Sequence, residues 1–211
     1  KIKFFCDLKK IGLALKDNFN RVEFIDLSLL SSFISEIFGK KFIIDSNTCS
    51  IFYENLISNN NVILNFHDPI YQYKSIKNNI EIRNIQKAHI CDGVALTKYL
   101  FWVKKNFNKK KITEISGSEK LYRFRKQDES FKFSSFPTNS GSGPNGAIIH
   151  YKATKKTNRT LKTGDIYLVD SGGQYEFGTT DVTRTISLRN SNKRIKNIFT
   201  RILQGHIAVA S

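Results

Sequence analysis

The chain has 211 residues, 34 of them basic and 18 acidic, with a formal net charge of +16. Its 40% hydrophobic, 12% aromatic and 25% charged residues are those of a globular protein, which excludes a disordered tail, a collagen-like fibre and a disulfide scaffold. No apolar stretch reaches the ~18–20 residues that a membrane span needs, so no membrane partner is expected.

In chain order, residues 2–8 and 11–15 alternate apolar and polar around Lys9 and Lys10, which predicts a hairpin. Apolar residues at 27, 29, 30, 33, 34, 37 and 38 follow helical spacing, with Asp26 as N-cap and Gly39 as stop. A strand over 41–45, a helix over 46–57 and a strand over 62–66 complete an α/β-like order, which breaks at His67–Tyr71. Residues 77–106 predict one long helix; Gly93 inside it points to a close helix contact. A further helix is expected over 112–125, opened by Thr113. The Ser/Gly/Pro/Asn-rich stretch 133–146 reads as a loop, 147–151 as a strand-like run and 158–164 as a turn. Strands are expected over 165–170 and 179–188, and Ser191 caps a last helix that runs to the end.

The charge is uneven. Residues 1–75 carry 9 basic and 8 acidic side chains, whereas 76–211 carry 25 and 10. Such a field attracts nucleic acid. Against that, 25 of the cations are scattered Lys and only 9 are Arg, and Ile, Lys and Asn supply 70 residues in all parts of the chain. That is general amino-acid drift, and no nucleic-acid partner is expected. The asymmetry divides the chain into domains at 1–75 and 76–211. Cys6, Cys49 and Cys91 are odd in number and widely spaced, which predicts free thiols in a reducing compartment and no zinc site. The chain starts at Lys1 and contains no Met, so it reads as a piece of a longer chain.

One stretch carries chemistry. The apolar run Ile166–Val169 ends in Asp170, and Asp181 follows eleven residues later. A charge at the end of a buried strand is costly unless paired or metal-bound. A hairpin with Tyr175 and Glu176 at its tip sets Asp170 directly opposite Asp181, with Cβ atoms ~4.5–5.5 Å apart. Two carboxylates that close share a proton or hold cations, and two metals ~3.5–4 Å apart fit the gap. Glycines 172, 173 and 178 can shift that register through a bulge. The spacing alone is a weak signal and favours a surface hairpin with two turn aspartates.

The surrounding residues, Asp170–Tyr175 (DSGGQY), Gly178–Thr185 (GTTDVTRT) and Gly143–Tyr151 (GPNGAIIHY), closely resemble the catalytic domain of Xaa-Pro aminopeptidases (aminopeptidase P), of the three-domain type. This family shares its pita-bread fold with prolidase, methionine aminopeptidase and creatinase. The resemblance implies an α+β pita-bread domain, first half only, over 76–211. Over 1–75 it implies a small α/β creatinase N-terminal-like domain, the second of two.

Carried over residue by residue, the resemblance makes Asp170 and Asp181 metal ligands, one chelating and one bridging, for a pair of Mn²⁺ ions. It makes His150 a substrate-binding residue that orients the peptide and stabilises charge on the scissile carbonyl. The implied reaction is hydrolysis of the first peptide bond of substrates with proline at position two, by a dinuclear metal-bound hydroxide. Thr183 and Arg184 are expected to support Asp181, and His67, His89 and His206 to be structural. Family members complete the site with one His and two Glu further along, so no catalytic set is complete in this chain. It is expected to be inactive alone, to bind Mn²⁺ weakly, and to leave apolar surface exposed. A cytoplasmic location and a homodimeric full-length protein agree with the resemblance. Two alternatives stay open: a non-catalytic binding module of the same fold for protein or RNA, and a prolidase-like dipeptidase.

Overall fold

The computed structural model describes residues 2–189 and 191–211. The chain divides into two compact units, Lys1–Ile76 and Lys77–Ser211. The first runs β1 (Ile2–Cys6), α1 (Leu13–Asn18), β2 (Val22–Asp26), α2 (Leu30–Ser35), β3 (Lys41–Ile44), α3 (Ile51–Ser58), β4 (Val62–Asn65) and α4 (Pro69–Ser75). β1 pairs with β2, and β3 with β4, both in parallel.

Three expectations are corrected here. There is no hairpin over 2–15, because Leu13–Asn18 is a helix and the chain crosses over it to lay β2 parallel to β1. Parallel neighbours require such a crossover. The helix after Asp26 is shorter than its apolar spacing suggested: the Asp26 carboxylate accepts from the Ser28 amide at 3.0 Å and caps a one-turn 3₁₀ helix, and α2 ends at Ser35. The chain then turns at Gly39, whose φ of +64° suits glycine. The apparent break at 67–71 starts α4, with Asp68 as N-cap and Pro69 in the first turn, where its missing N–H costs nothing. Buried apolar residues described in this unit are Ile34 and Ile57, a thin core.

The second unit opens with the long helix α5 (Asn79–Asn106), closed at its start by a reciprocal Asn78–Glu81 capping box. α6 (Glu114–Arg125) follows, capped by Thr113 as expected. Then come β5 (Phe131–Ser134), β6 (Asn139–Ser142), a 3₁₀ turn (Gly143–Ala147), β7 (Ile166–Ser171), β8 (Gly173–Tyr175), β9 (Gly178–Thr179), β10 (Val182–Ser187) and α7 (Lys193–Ala210). Two antiparallel sheets result, in the orders β10-β7-β6 and β5-β8-β9. So residues 133–146 are not one loop, and 147–151 are not a strand. Asn192, not Ser191, caps α7. A Cβ at Gly93 would meet nothing within 4 Å, so no close helix contact exists there.

The core lies between the helices and one face of β7. Leu96, Tyr99 and Val103 of α5 and Leu121 of α6 pack on Tyr167 and Val169. Side chains alternate along a strand, so Asp170 points to the opposite face. Between helices and sheets sits a buried ion pair. Arg125 donates from Nε to Asp92 Oδ1 at 2.6 Å and from Nη2 to Asp92 Oδ2 at 3.1 Å. It also donates to Ser171 Oγ at 3.0 Å, while Tyr175 donates to Asp92 Oδ1 at 2.9 Å. Both charges are 1% exposed. Paired in this way, they tie α5, α6, β7 and β8 together; either one alone would be left buried and uncompensated, at ~3–5 kcal/mol.

Candidate metal centre

Asp170 stands near the end of the central strand, flanked directly by Asn139 of β6 and Thr183 of β10. Directly opposed residues share a face and are within reach of one another. Asn139 Nδ2 donates to Oδ2 of Asp170 at 3.0 Å and Thr183 Oγ1 donates to Oδ1 at 2.9 Å. The carboxylate is therefore held from both sides. An ionised carboxylate has about four lone-pair sites, so each oxygen keeps capacity for a further partner.

The expected register is corrected. The strand pairs Asp170 with Thr183, not with Asp181. Tyr175 pairs with Gly178, which puts the hairpin tip at Glu176 and Phe177. The whole ladder is thus displaced by two positions, and Asp181 precedes Asp170's partner by two. Between the two ladder segments, Gly172 lets the strands close on each other: a Cβ there would lie 1.9 Å from the Thr180 carbonyl oxygen. Thr180 fastens the junction by accepting from the Gly173 amide at 2.9 Å. Asp181 is exposed just before β10. Thr183 hydrogen-bonds Asp170, not the Asp181 it was expected to support. Arg184 donates to the Thr183 carbonyl at 2.8 Å.

His150 is exposed, with a φ of +54°. It lies in the segment after the 3₁₀ turn and shares one cavity of about 250 Å³ with Asp170, Asn139, Thr183, Tyr151 and Leu168. The cavity thus unites two of the three residues singled out by sequence; Asp181 is not among those lining it. A larger groove of about 720 Å³ along α7 is lined by apolar, hydroxyl and Lys side chains, with no carboxylate or imidazole. Among the described residues no group of three or more His, Cys, Asp or Glu side chains is placed to hold a metal ion. His67 lies 3.6 Å from Asp45 in the first unit, and His89, whose Nδ1 is 2.9 Å from the Ile85 carbonyl, is not among the residues lining the cavity. All three cysteines are free.

Sequence reasoning missed Asn139, because it lay in a stretch read as loop. It also missed Glu114, which is fully buried behind the His150 segment.

The sequence profile of metallopeptidase family M24 matches residues 83–211. The chain belongs to this family. Among curated proteins, this M24 chain is 44% identical over 144 residues to the Xaa-Pro aminopeptidase ApepP of Drosophila melanogaster, covering 68% of the chain and 24% of that protein. It is 46% identical over 142 residues to a probable Xaa-Pro aminopeptidase P of Laccaria bicolor, covering 67% and 22%. The chain thus spans about a quarter of the length of these relatives. Among solved structures it is similar to an X-prolyl aminopeptidase of Caenorhabditis elegans, described as a cytosolic enzyme with a di-nuclear active site. The TM-score is 0.72 at 26% identity, over 91% of this chain and 33% of that one. Prolidase from Pyrococcus furiosus aligns over 96% of this chain and 57% of its own, with a TM-score of 0.73 at 19% identity, a likeness of fold alone. The α+β pita-bread reading of the M24 chain stands on these matches.

Proposed function

We propose that this chain is part of an Xaa-Pro aminopeptidase, in which Asp170 and Asp181 are carboxylate ligands of a divalent-metal pair and His150 binds substrate. The observation that carries the reading is the common cavity of Asp170 and His150, with Asp170 held between Asn139 and Thr183. Carboxylate oxygens suit hard cations, and Mn²⁺ is the ion assigned. When bound, such ions polarise a carbonyl and acidify water. This chain's own part is to present oriented carboxylates and, at His150, a ring N–H that donates to the scissile carbonyl oxygen as charge develops there. The substrates are peptides with proline at position two. The sequence relatives named Xaa-Pro aminopeptidase favour this reading over a prolidase.

Two carboxylates cannot fill the coordination of two metals, so the remaining ligands come from outside these 211 residues. The chain alone is therefore expected to be inactive and to bind Mn²⁺ weakly. In the same reading residues 1–75 are the creatinase N-terminal-like domain of a cytoplasmic enzyme that forms homodimers when full-length.

The test is release of the N-terminal residue from an Arg-Pro-Pro peptide with added Mn²⁺. It is run on the full-length polypeptide carrying these residues, on its Asp181→Ala variant and on the 211-residue chain. Turnover by the full-length protein alone is expected. No turnover by it under any divalent ion would move the reading to a non-catalytic binding module. Tight calorimetric binding of two Mn²⁺ by the 211-residue chain would overturn the incomplete-site part.

A further inference from the structure

We infer that Glu114 is the positioning residue for the substrate-binding segment, acting through His150; the inference rests on the substrate role proposed for His150. Glu114 opens α6 and is fully buried. Its carboxylate receives four donors. The Ser142 amide donates to Oε1 at 2.8 Å and the Arg159 amide to Oε2 at 2.8 Å. Asn145 Nδ2 reaches Oε1 at 3.0 Å and Oε2 at 3.1 Å, and the Tyr151 hydroxyl donates to Oε2 at 3.0 Å. Its own amide donates to the Arg159 carbonyl at 3.0 Å.

All four donors belong to residues 142–159, the segment that contains His150. From Gly143 to Arg159 this segment has no strand and no long helix. Its shape therefore depends on what its polar groups meet, since every buried backbone donor needs a partner. One carboxylate meets both ends of the segment and two side chains between them. Hydrogen bonds to a charged acceptor are roughly twice as strong as neutral ones. Tyr151, one residue from His150, is 7% exposed and turns its hydroxyl inward to Glu114. Asn145 and Tyr151 also line the cavity that holds His150 and Asp170. Glu114 thus fixes the cavity wall from behind, whereas Asp170 is held by Asn139 and Thr183. Peptide binding and metal binding are then supported by separate sets of residues.

A glutamine at 114 would have to aim its amide nitrogen at the Ser142 or the Arg159 amide, both of them donors. Glu114→Gln in the full-length polypeptide is therefore expected to raise KM for the Arg-Pro-Pro peptide roughly tenfold or more, the size of effect seen when supporting hydrogen bonds to a site are lost. Mn²⁺ affinity, read by calorimetry, stays within about twofold, since the bonds to Asp170 are untouched. Combined with His150→Ala, it should add nothing to that variant's KM, because both changes disable the same element. A purely structural role would instead add the two effects or lower metal and peptide affinity together; either result overturns the inference. A normal KM for Glu114→Gln beside an impaired His150→Ala also overturns it, and leaves the substrate role of His150 standing. A normal KM for His150→Ala overturns that role and the inference with it. If Glu114→Gln does not fold by circular dichroism, Tyr151→Phe carries the test. It removes one donor from Glu114, should raise KM in the same direction by a smaller factor, and a normal KM there overturns the inference.

Discussion

The carboxylate of Asp170 is useful to a cation only if it is aimed, and two side chains aim it. Asn139 and Thr183 occupy the positions directly across the ladder on either side, and each donates to a different oxygen. Residues that hold a ligating group in place commonly matter about 10–100-fold for metal affinity. We expect Asn139→Ala, and less strongly Thr183→Val, to weaken Mn²⁺ binding by the full-length protein by about that factor. Competitive titration with a fluorescent chelator measures it, and unchanged affinity in both variants would show that the two bonds are incidental. Asp170 was legible in the sequence because a charge that ends an apolar strand must have a reason. His150 was legible only through the residues around it. Asn139 and Glu114 were not legible, since their importance lies in partners 28 to 45 residues away, which no local pattern reveals.

At the scale of elements, local signals worked where the period was long or the caps explicit. The α5 helix and the Thr113 cap of α6 follow from them. Strand β6 did not, because Asn139–Ser142 is Asn, Ser and Gly, residues of low strand propensity. Pairing with β7 overrides that preference. The register failed for a related reason: a shift of two keeps each residue on its face, so hydrophobic alternation cannot detect it. The same elements bury three phenols, Tyr99, Tyr167 and Tyr175, and burial pushes all three up from the usual value of 10.0. For Tyr175 the neighbouring Asp92 carboxylate raises it further. A group whose pKa is raised by folding gives stability that is complete below the unfolded value and falls as pH climbs from about 10 towards the folded one. Melting temperature should therefore be level between about pH 8 and 9 and drop steeply above about pH 10. Tyr99→Phe should make that drop shallower, whatever it does to stability at neutral pH. An alkaline limb of unchanged steepness in Tyr99→Phe would assign the loss to other groups.

For the whole molecule, the question is what the apolar residues that no element covers will do. Helix α7 has no buried residue along its length. Phe199 is 59% exposed and Ile202 68%, and both line the groove of about 720 Å³ shared with Ile166, Ile186 and Ile195. A continuous apolar face on a soluble protein favours association. The net charge of +16 opposes it, but charge repulsion between surfaces acts over a Debye length of only ~8 Å at physiological ionic strength. Apolar contact is not screened in this way. The 211-residue chain is therefore expected to self-associate at micromolar concentration, and more strongly as salt is raised. Light scattering across a salt series decides this. Phe199→Lys and Ile202→Lys, placed on the exposed face, should return the chain to monomer without lowering its melting temperature. A sharp monomer peak for the unsubstituted chain at high salt would mean that α7 shields its own apolar face, and would remove the driving force argued here.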